Sequence, residues 1–338
     1  MQTKYYHRNL AWIFKKEDSK EYKNDFLELM KQRHRNVKVV CAQMMPLNQS
    51  HDLQSSHIYW MQKQNIAYCP SFKSATTTWF NILIKLTNHS EAYLERVRTE
   101  LYRKWAPIPA HLRYLGAINP DRKEWSDYVS SLNHNHNLTG FMVVRHPFDR
   151  MVSAYRDKLE RNNAWFQKLY GQPFVSKYRQ QAVEVLGIDF FNEKNNFGTV
   201  MNVPKNGRRS SQLPSFWEFA QSVIDRYKMN VHWVPITEFC SICDPLNIKA
   251  FKYFLKFENL DHEEMLFINE NHWETTIAKT EKLNKNWSGN LYGNDLTRLY
   301  FSILSDQQIN KLYEFYKQDF LLFKYKFRIN NLNNNDNS

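Results

Sequence analysis

The segment Ile66–Leu86 constrains the fold of this 338-residue chain more than any other. It reads IAYCPSFKSATTTWFNILIKL: a short apolar stretch, a loop at 70–75 with one lysine, Lys73, and an apolar stretch that opens on three threonines. This order predicts a buried strand, a loop and a helix. The unpaired N–H groups and the dipole at a helix start favour an anion. The segment therefore predicts a phosphate-binding loop, although a buried strand–helix pair with an incidental lysine explains it equally well.

The loop differs from the P-loop of nucleoside triphosphatases. That motif has glycines on both sides, and a hydroxyl residue after its lysine holds magnesium. No glycine occurs between Ile66 and Leu86. The segment thus predicts phosphate binding without evident magnesium chemistry.

The net charge of the chain indicates the kind of partner it binds. Its formal charge is +12 and its pI is about 9.3. This balance predicts an anionic partner, which is a nucleic acid, a membrane surface, an anionic glycan or a phosphorylated cofactor. Charge alone does not distinguish among these classes.

No membrane span or signal segment is evident. No stretch approaches the roughly 18 apolar residues of a span, and no charged and then apolar segment opens the chain. We therefore expect a soluble protein, with any membrane anchor outside this sequence. N-x-S/T sequons for glycosylation are about as frequent as chance predicts. They begin at Asn48, Asn88, Asn137 and Asn286.

The four cysteines leave the redox state open. Cys41, Cys69, Cys240 and Cys243 allow three disulfide pairings, and the sequence selects none of them. The Cys-x-x-Cys pair at 240–243 is half of a zinc site at most, because no second pair has matching spacing. Free thiols explain the four residues equally well.

Composition divides the chain into three parts. Residues 1–60 are polar and basic, which predicts a partly helical extension that packs peripherally. Residues 61–330 carry the strand and helix patterns and form the predicted main domain, in which 295–325 is typical of two amphipathic helices. Residues 331–338 are mostly asparagine and predict a disordered tail.

A second informative segment, residues 141–160, reads FMVVRHPFDRMVSAYRDKLE. Its first four residues form an apolar run typical of a strand buried on both faces of a parallel sheet. Arg145 follows at the carboxyl end of that strand, where open α/β sheets bind ligands. Pro147 suits the first turn of a helix, and Ser153 lies about two turns on. The apolar stripe of that helix is Phe148, Met151, Val152, Tyr155 and Leu159. Arg145 and Ser153 can bind one phosphate together. If this segment stood alone, a surface arginine and a helix-interior serine would be the preferred explanation.

The two segments together predict a nucleotide with phosphates at both ends, and they resemble a known family. Residues 68–79, YCPSFKSATTTW, resemble the 5′-phosphosulfate loop of Golgi carbohydrate sulfotransferases, and residues 141–156 resemble their 3′-phosphate motif. The branch with chondroitin and dermatan 4-O-sulfotransferases and the HNK-1 sulfotransferase is the most similar. The sequence HWVP at 232–235, followed by the cysteine pair at 240–243, is similar to its HWxP and cysteine-rich signature. KFENL at 256–260 resembles its KYETL segment.

Three positions depart from the pattern of that branch. Phe72 stands where proline is usual, Thr76 where cysteine is usual, and His146 where an acidic residue is usual. The first two leave backbone contacts and Lys73 unaffected. His146 makes the local charge more positive and weakens the match to this particular branch.

The resemblance implies an α/β, P-loop-like sulfotransferase fold, with a central parallel sheet flanked by helices, over residues 61–330. It implies a PAPS-dependent carbohydrate O-sulfotransferase, where PAPS is 3′-phosphoadenosine 5′-phosphosulfate. No metal is expected, because cationic groups already surround the departing phosphate. It also implies a Golgi-lumenal location, where Cys240 and Cys243 are expected to be oxidised, not necessarily to each other.

The resemblance also assigns roles to residues. Lys73 contacts the 5′-phosphate and the bridging oxygen, while Arg145 and Ser153 bind the 3′-phosphate. Backbone amides complete the 5′-phosphate site, and they belong to Ser74, Ala75, Thr76, Thr77 and Thr78. A base must take the proton of the sugar hydroxyl, and a lone histidine is more often structural than catalytic. The candidates for this base are His232, His111, His134 and His136.

The acceptor is the least defined partner. The resemblance implies an anionic polysaccharide, modified at O4 of N-acetylgalactosamine in chondroitin or dermatan, and no nucleic acid. The candidate contacts are Trp233 and a basic loop with Lys205, Arg208 and Arg209. A solvated charged turn explains that loop as well.

Two other function classes remain open. Another nucleotide-dependent transferase, such as a small-molecule kinase, needs carboxylates for magnesium, and no acidic pair adjoins Lys73. The other class is a non-catalytic basic protein that binds glycans or nucleic acid. Stabilisation by adenosine 3′,5′-bisphosphate, but not by ATP with magnesium, distinguishes a sulfotransferase from both.

Overall fold

A computed structural model describes residues 20–44, 57–87, 120–132, 138–161, 163–192, 213–274 and 294–327. The chain divides into two compact units, each built from two separate stretches. The first unit is Met1–Val144 with Ile236–Asn284, and the second is Arg145–Pro235 with Lys285–Ser338. The predicted α/β class is confirmed, since a mostly parallel sheet is flanked by helices.

The described helices are numbered in chain order, and none of them is long and apolar enough to cross a membrane. They are α1 (Lys20–Met44), α2 (Thr76–Leu86), α3 (Arg122–Ser131), α4 (Pro147–Tyr155), α5 (Ala164–Phe166), α6 (Gln172–Leu186), α7 (Asp189–Asn192), α8 (Phe216–Ile224), α9 (Ile236–Phe239), α10 (Pro245–Ala250), α11 (Leu260–Glu270), α12 (Asn294–Phe301) and α13 (Asp306–Leu322). Two π-helical segments, Arg156–Glu160 and Gln167–Gly171, follow α4 and α5.

The sheet belongs to the first unit and has four strands in the described residues. They are β1 (Tyr59–Met61), β2 (Ile66–Tyr68), β3 (Thr139–Val144) and β4 (Phe251–Lys256), in the spatial order β1-β2-β3-β4. Strands β2, β3 and β4 are parallel, and β1 pairs with β2 in the antiparallel direction. The predicted central parallel sheet is therefore confirmed, with one antiparallel strand added at its edge.

Strand β3 is buried as its apolar run predicts. Its last five residues are all buried. Gly140 lets β3 approach β4 closely, since a Cβ on Gly140 would lie 2.1 Å from the carbonyl oxygen of Ala250. Tyr68 in β2 pairs with Phe141 in β3, so both parallel strands end at the same edge of the sheet.

Helix α1 lies within the predicted extension at 1–60, but its packing is not peripheral. Phe26 and Met30, one helical turn apart, are each 2% exposed and belong to the core of the first unit. Arg33, on the same face, forms a bidentate ion pair with buried Glu263 at 2.6 and 2.8 Å. The sequence pattern missed this burial because a charged residue interrupts the apolar stripe.

Two disulfides join the two chain stretches of the first unit. They link Cys41 to Cys243 and Cys69 to Cys240. The prediction that Cys240 and Cys243 are oxidised is confirmed, and each pairs with a distant cysteine. Buried Asn247 also holds this region, because its Nδ2 donates to the carbonyls of residues 240 and 241 at 3.0 and 3.1 Å.

The second unit has an aromatic core built by helices. The apolar stripe predicted on α4 is confirmed, and its members are each no more than 1% exposed. The two helices predicted within 295–325 correspond to α12 and α13. Ser305 begins α13 with a reciprocal capping box to Gln308, which explains where that helix starts.

Candidate active site

The loop at 70–75 connects β2 to α2, as its sequence predicts. Hydrogen bonds within the loop fix its shape: the Ser71 and Ser74 hydroxyls lie 3.0 Å apart, and Thr76 Oγ1 donates to the Ser71 carbonyl at 2.7 Å. The Ser74 amide donates to the same carbonyl at 3.1 Å. Before the loop, the Cys69 amide donates to the Phe141 carbonyl of β3 at 3.4 Å. The loop is therefore anchored to the sheet and braced by its own hydroxyls.

The backbone of this loop has an uncommon conformation for residues that are not glycine. Lys73 has φ 74° and Ala75 has φ 59°, both in the left-handed region. Such residues cost roughly 1–3 kcal/mol each and persist where the surroundings over-determine them, often at ligand sites. Ala75 is also the N-cap of α2 and makes no side-chain capping bond. Ala75 therefore offers no side-chain acceptor to the first-turn amides of α2.

The structure separates the predicted 5′-phosphate residues into two groups. Ser74 and Thr76 are buried, and their hydroxyls bond within the loop, so these side chains hold its shape. Lys73, Thr77 and Thr78 are half-buried. Burial raises the pKa of the Tyr68 hydroxyl at the end of β2, so this phenol adds no negative charge beside the loop. A lysine and the start of a helix remain as the groups suited to an anion.

The predicted 3′-phosphate residues begin the second unit. Arg145 follows β3 directly in the chain, His146 is the N-cap of α4, and Pro147 is its first residue. Arg145 and Ser153 are half-buried, whereas the apolar stripe of α4 is buried. His146 lies in a packed environment: its Nε2 is 3.1 Å from the Lys326 carbonyl. The helix thus presents Ser153 off its core face, as predicted.

Arg150 is a structural residue of this region that the sequence analysis missed. It is 2% exposed, and its guanidinium donates to the His232 carbonyl at 3.2 Å and to the Val234 carbonyl. These contacts join α4 to the HWVP segment across 82 positions of the sequence. No local pattern marks such a partner, because the pairing depends on the tertiary fold.

The HWVP segment divides into a core residue and a polar residue. Trp233 is completely buried, its carbonyl accepts from the Tyr316 hydroxyl, and its ring packs on Tyr170 at 5.1 Å. A side chain with no exposed surface does not stack on a glycan, so we assign Trp233 to the core of the second unit instead. His232 is half-buried, with Nδ1 2.6 Å from Asn230 Oδ1. Of the four histidine candidates, it is the one within the described residues.

The remaining predicted contacts lie outside the described residues. They are His111, His134, His136, Lys205, Arg208 and Arg209. The sequons and the predicted tail at 331–338 lie outside them too.

Comparison with known proteins identifies the class to which these segments belong. The model of the sulfotransferase family matches residues 56–326, which include the loop at 70–75, α4 and the HWVP segment. The chain belongs to the sulfotransferase family.

The curated relatives narrow this class and confirm the predicted resemblance. The chain is 22% identical over 304 residues to carbohydrate sulfotransferase 8 of Mus musculus, which covers 88% of this chain and 64% of that protein. It is 25% identical over 316 residues to carbohydrate sulfotransferase 9 of Homo sapiens, and this match covers 92% of this chain and 61% of that protein. It is 24% identical over 281 residues to carbohydrate sulfotransferase 11 of Mus musculus, with 80% and 67% covered. The chain thus spans less than two thirds of the first two relatives. No solved structure matches it.

Proposed function

We propose that this chain transfers the sulfuryl group of PAPS to a carbohydrate hydroxyl. One observation carries the proposal: two cationic segments follow neighbouring parallel strands at their carboxyl ends. The loop with Lys73 follows β2, and Arg145 follows β3. Because α/β sheets bind ligands beyond the carboxyl ends of their strands, each of the two segments suits a phosphate group.

The residues present suit the 5′ end of PAPS. The first turn of α2, whose N-cap Ala75 has no side-chain acceptor, and the left-handed residues Lys73 and Ala75 favour an anion at the loop. As the bond from sulfur to the bridging oxygen breaks, negative charge develops on the 5′-phosphate. Lys73 donates to that oxygen, where its charge has the most effect on the rate. The amides of residues 75–78 bind the same phosphate, whereas the predicted Ser74 amide is left out because it donates to the Ser71 carbonyl.

The 3′ end of PAPS is assigned to the second unit. Arg145 and Ser153 bind the 3′-phosphate, which distinguishes this nucleotide from ordinary ones. Sulfuryl transfer requires mainly that the protein position the reactants and stabilise charge. The contact of Arg145 and Ser153 with the 3′-phosphate fixes the orientation of the donor. A general base takes the proton of the acceptor hydroxyl as its oxygen forms the new bond to sulfur. His232 is our candidate for that base.

Two measurements test this function against its alternatives. The chain should be stabilised against heat by adenosine 3′,5′-bisphosphate and not by ATP with magnesium. Labelled sulfate should also pass from PAPS to at least one member of a glycan panel. Stabilisation by ATP with magnesium favours another nucleotide-dependent transferase. Glycan binding without any nucleotide effect favours a non-catalytic basic protein.

Arg145 should determine the preference for a 3′-phosphate. Replacing Arg145 with alanine removes a charge-assisted contact, which costs roughly 1.5–3 kcal/mol, or about tenfold to a hundredfold in affinity. Calorimetry should therefore show a large loss for adenosine 3′,5′-bisphosphate and little change for adenosine 5′-monophosphate. Arg161→Ala removes the same charge from an exposed position of the same unit and serves as the control. Equal losses for the two nucleotides would refute this assignment.

For the acceptor we propose an anionic polysaccharide, most consistent with O4 of N-acetylgalactosamine in chondroitin or dermatan. Two features of the sequence support this class of acceptor: the formal charge of +12 and the basic residues Lys205, Arg208 and Arg209. The names of the relatives specify a carbohydrate and no particular glycan. The position of sulfation rests on the family resemblance. Disaccharide analysis after labelling tests it, and label on heparan sulfate alone would contradict it.

Binding of this acceptor should weaken with salt. The Debye length falls from about 10 Å at 0.1 M to about 3 Å at 1 M, so contacts between a polyanion and arginines are screened. The KM for the glycan should rise steeply with ionic strength, and Arg208→Glu/Arg209→Glu should raise it further. Affinity for adenosine 3′,5′-bisphosphate should stay nearly constant. The control Lys168→Glu/Lys311→Glu makes the same charge change at exposed positions. An equal effect of both double variants would assign the salt dependence to net charge alone.

We further propose that the protein works in the Golgi lumen. Two disulfides suit an oxidising compartment of the secretory pathway.

A further inference from the structure

His232 lies in a tight turn that is organised by Asn230. The backbone carbonyl of Asn230 accepts from the amides of Trp233 and Val234 at 3.0 and 2.9 Å. Its side-chain Oδ1 accepts from the His232 amide at 3.1 Å and lies 2.6 Å from His232 Nδ1. Phe166 and the imidazole pack in a T-shaped arrangement with ring centres 5.5 Å apart. One asparagine thus fixes both the turn and the ring orientation.

These contacts assign the hydrogen on the imidazole. The His232 amide can only donate, so the Asn230 atom that faces it must be the side-chain oxygen and not the nitrogen. The same oxygen faces Nδ1, so Nδ1 must carry a hydrogen. At the other end of the amide, Asn230 Nδ2 donates to the Tyr170 hydroxyl at 2.8 Å, which agrees with this orientation. In the neutral ring, the lone pair is therefore on Nε2.

We infer that Asn230 is a positioning residue that holds His232 in the tautomer whose Nε2 accepts the proton of the acceptor hydroxyl. This inference rests on the proposed sulfuryl transfer. In that step the hydroxyl proton moves to Nε2 while the hydroxyl oxygen forms a bond to sulfur. The bond from sulfur to the bridging oxygen breaks, and its electron pair stays on the departing 5′-phosphate. Oδ1 of Asn230 keeps its bond to Nδ1–H and so stabilises the imidazolium that forms.

Charged and titratable groups on neighbouring elements contact the residues that hold this ring. Arg150 of α4 donates to the His232 carbonyl, and Lys158 lies 4.9 Å from the ring centre of Phe166. Tyr170 contacts the far end of the Asn230 amide. A carboxylate at position 230 would place a negative charge in contact with Nδ1 of this ring.

Two variants at position 230 test the inference through activity. Asn230→Ala removes the acceptor for Nδ1–H and should lower kcat about tenfold to hundredfold. This loss is a part of the rate enhancement that a general base contributes. Asn230→Asp keeps that acceptor and adds a negative charge, which favours the imidazolium. Because the base must be neutral, the acid limb of the kcat/KM profile should move to higher pH by roughly one unit. Activity should recover above that limb. A merely structural role for Asn230 would lower activity without moving the profile.

The tautomer can be observed without any assay of activity. Long-range ¹H–¹⁵N spectra of histidine-labelled protein distinguish Nδ1–H from Nε2–H, and His232→Gln identifies the signals. The exposed substitution Asn310→Asp makes the same charge change in α13 and controls for net charge. An Nε2–H signal for His232 would overturn the inference. So would an Asn230→Asp variant whose imidazole titration shifts while its pH–rate profile stays in place. Nucleotide binding by Arg145 is measured separately. A failure of the inference about Asn230 can therefore be told apart from a failure of the proposed function.

Discussion

Replacing Lys73 with methionine should lower the single-turnover rate of sulfuryl transfer by about 10²–10³-fold, the usual cost of removing one preorganised donor to a developing oxyanion. The substitution keeps the aliphatic stem and the Cβ atom. Because the left-handed backbone at φ 74° is equally strained for both residues, the variant tests the charge alone. Glycine is the wrong choice here, since it would relieve that strain at the same time.

The control for this prediction is Lys63→Met. Lys63 is exposed in the short turn after β1, so this variant removes the same charge from the same unit. Quench-flow measurement with labelled PAPS should show a rate close to that of the unmodified protein. Similar rates for the two variants, or a loss below tenfold at Lys73, would show that this lysine does not stabilise the leaving group.

Removing the Cys69–Cys240 disulfide should reduce both stability and nucleotide affinity. Its cysteines are 171 positions apart, and a loop of this size is typically worth about 2–5 kcal/mol of folding free energy. Cys69 also precedes the strained loop at 70–75. When this disulfide is lost, the left-handed backbone of Lys73 or Ala75 can relax. If relaxation lowers the free energy of the loop by about 1.4 kcal/mol, nucleotide binding must restore the strain and weakens tenfold. The variant Cys69→Ala/Cys240→Ala should show both effects.

The second disulfide provides a matched control. Cys41 and Cys243 are 202 positions apart, so the loop-closure terms of the two bridges differ by only about 0.1–0.2 kcal/mol. In Cys41→Ala/Cys243→Ala, Asn247 still holds the segment around Cys240. Guanidinium unfolding should therefore show similar losses of stability for the two variants. Calorimetry should show weaker binding of adenosine 3′,5′-bisphosphate for the Cys69 variant alone, and equal binding would show that this bridge does not support the loop.

Local patterns in the sequence predicted the elements that carry the candidate site. Strand β2, helix α2, strand β3 and the stripe of α4 each have a run or period within about twenty residues, and the structure contains all four. The strained backbone of Lys73 and Ala75 was not predictable in this way, because no glycine marks those positions. The roles of the site residues came from the family resemblance and remain predictions.

Long-range partners account for the rest of what the sequence did not predict. Arg33 pairs with Glu263 across 230 positions, and the disulfide partners are nearly as distant. In the sequence alone, each of the charged residues is explained as a solvated charge and each cysteine as a free thiol. The Asn230–His232 contact is the exception, since an asparagine that accepts from an amide two residues on is a known turn pattern.

The sequence positions of the disulfide partners also determine when each native bridge can form during translation. Translation proceeds at about 5–20 residues per second, so the 171 positions after Cys69 take roughly 9–34 s to synthesise. Of the four cysteines in this sequence, Cys41 and Cys69 have been made during that interval, and Cys240 and Cys243 have not. A bridge between these two cysteines, Cys41–Cys69, is non-native. A chain that forms this bridge must exchange its disulfide partners afterwards, so the yield should depend on a disulfide isomerase.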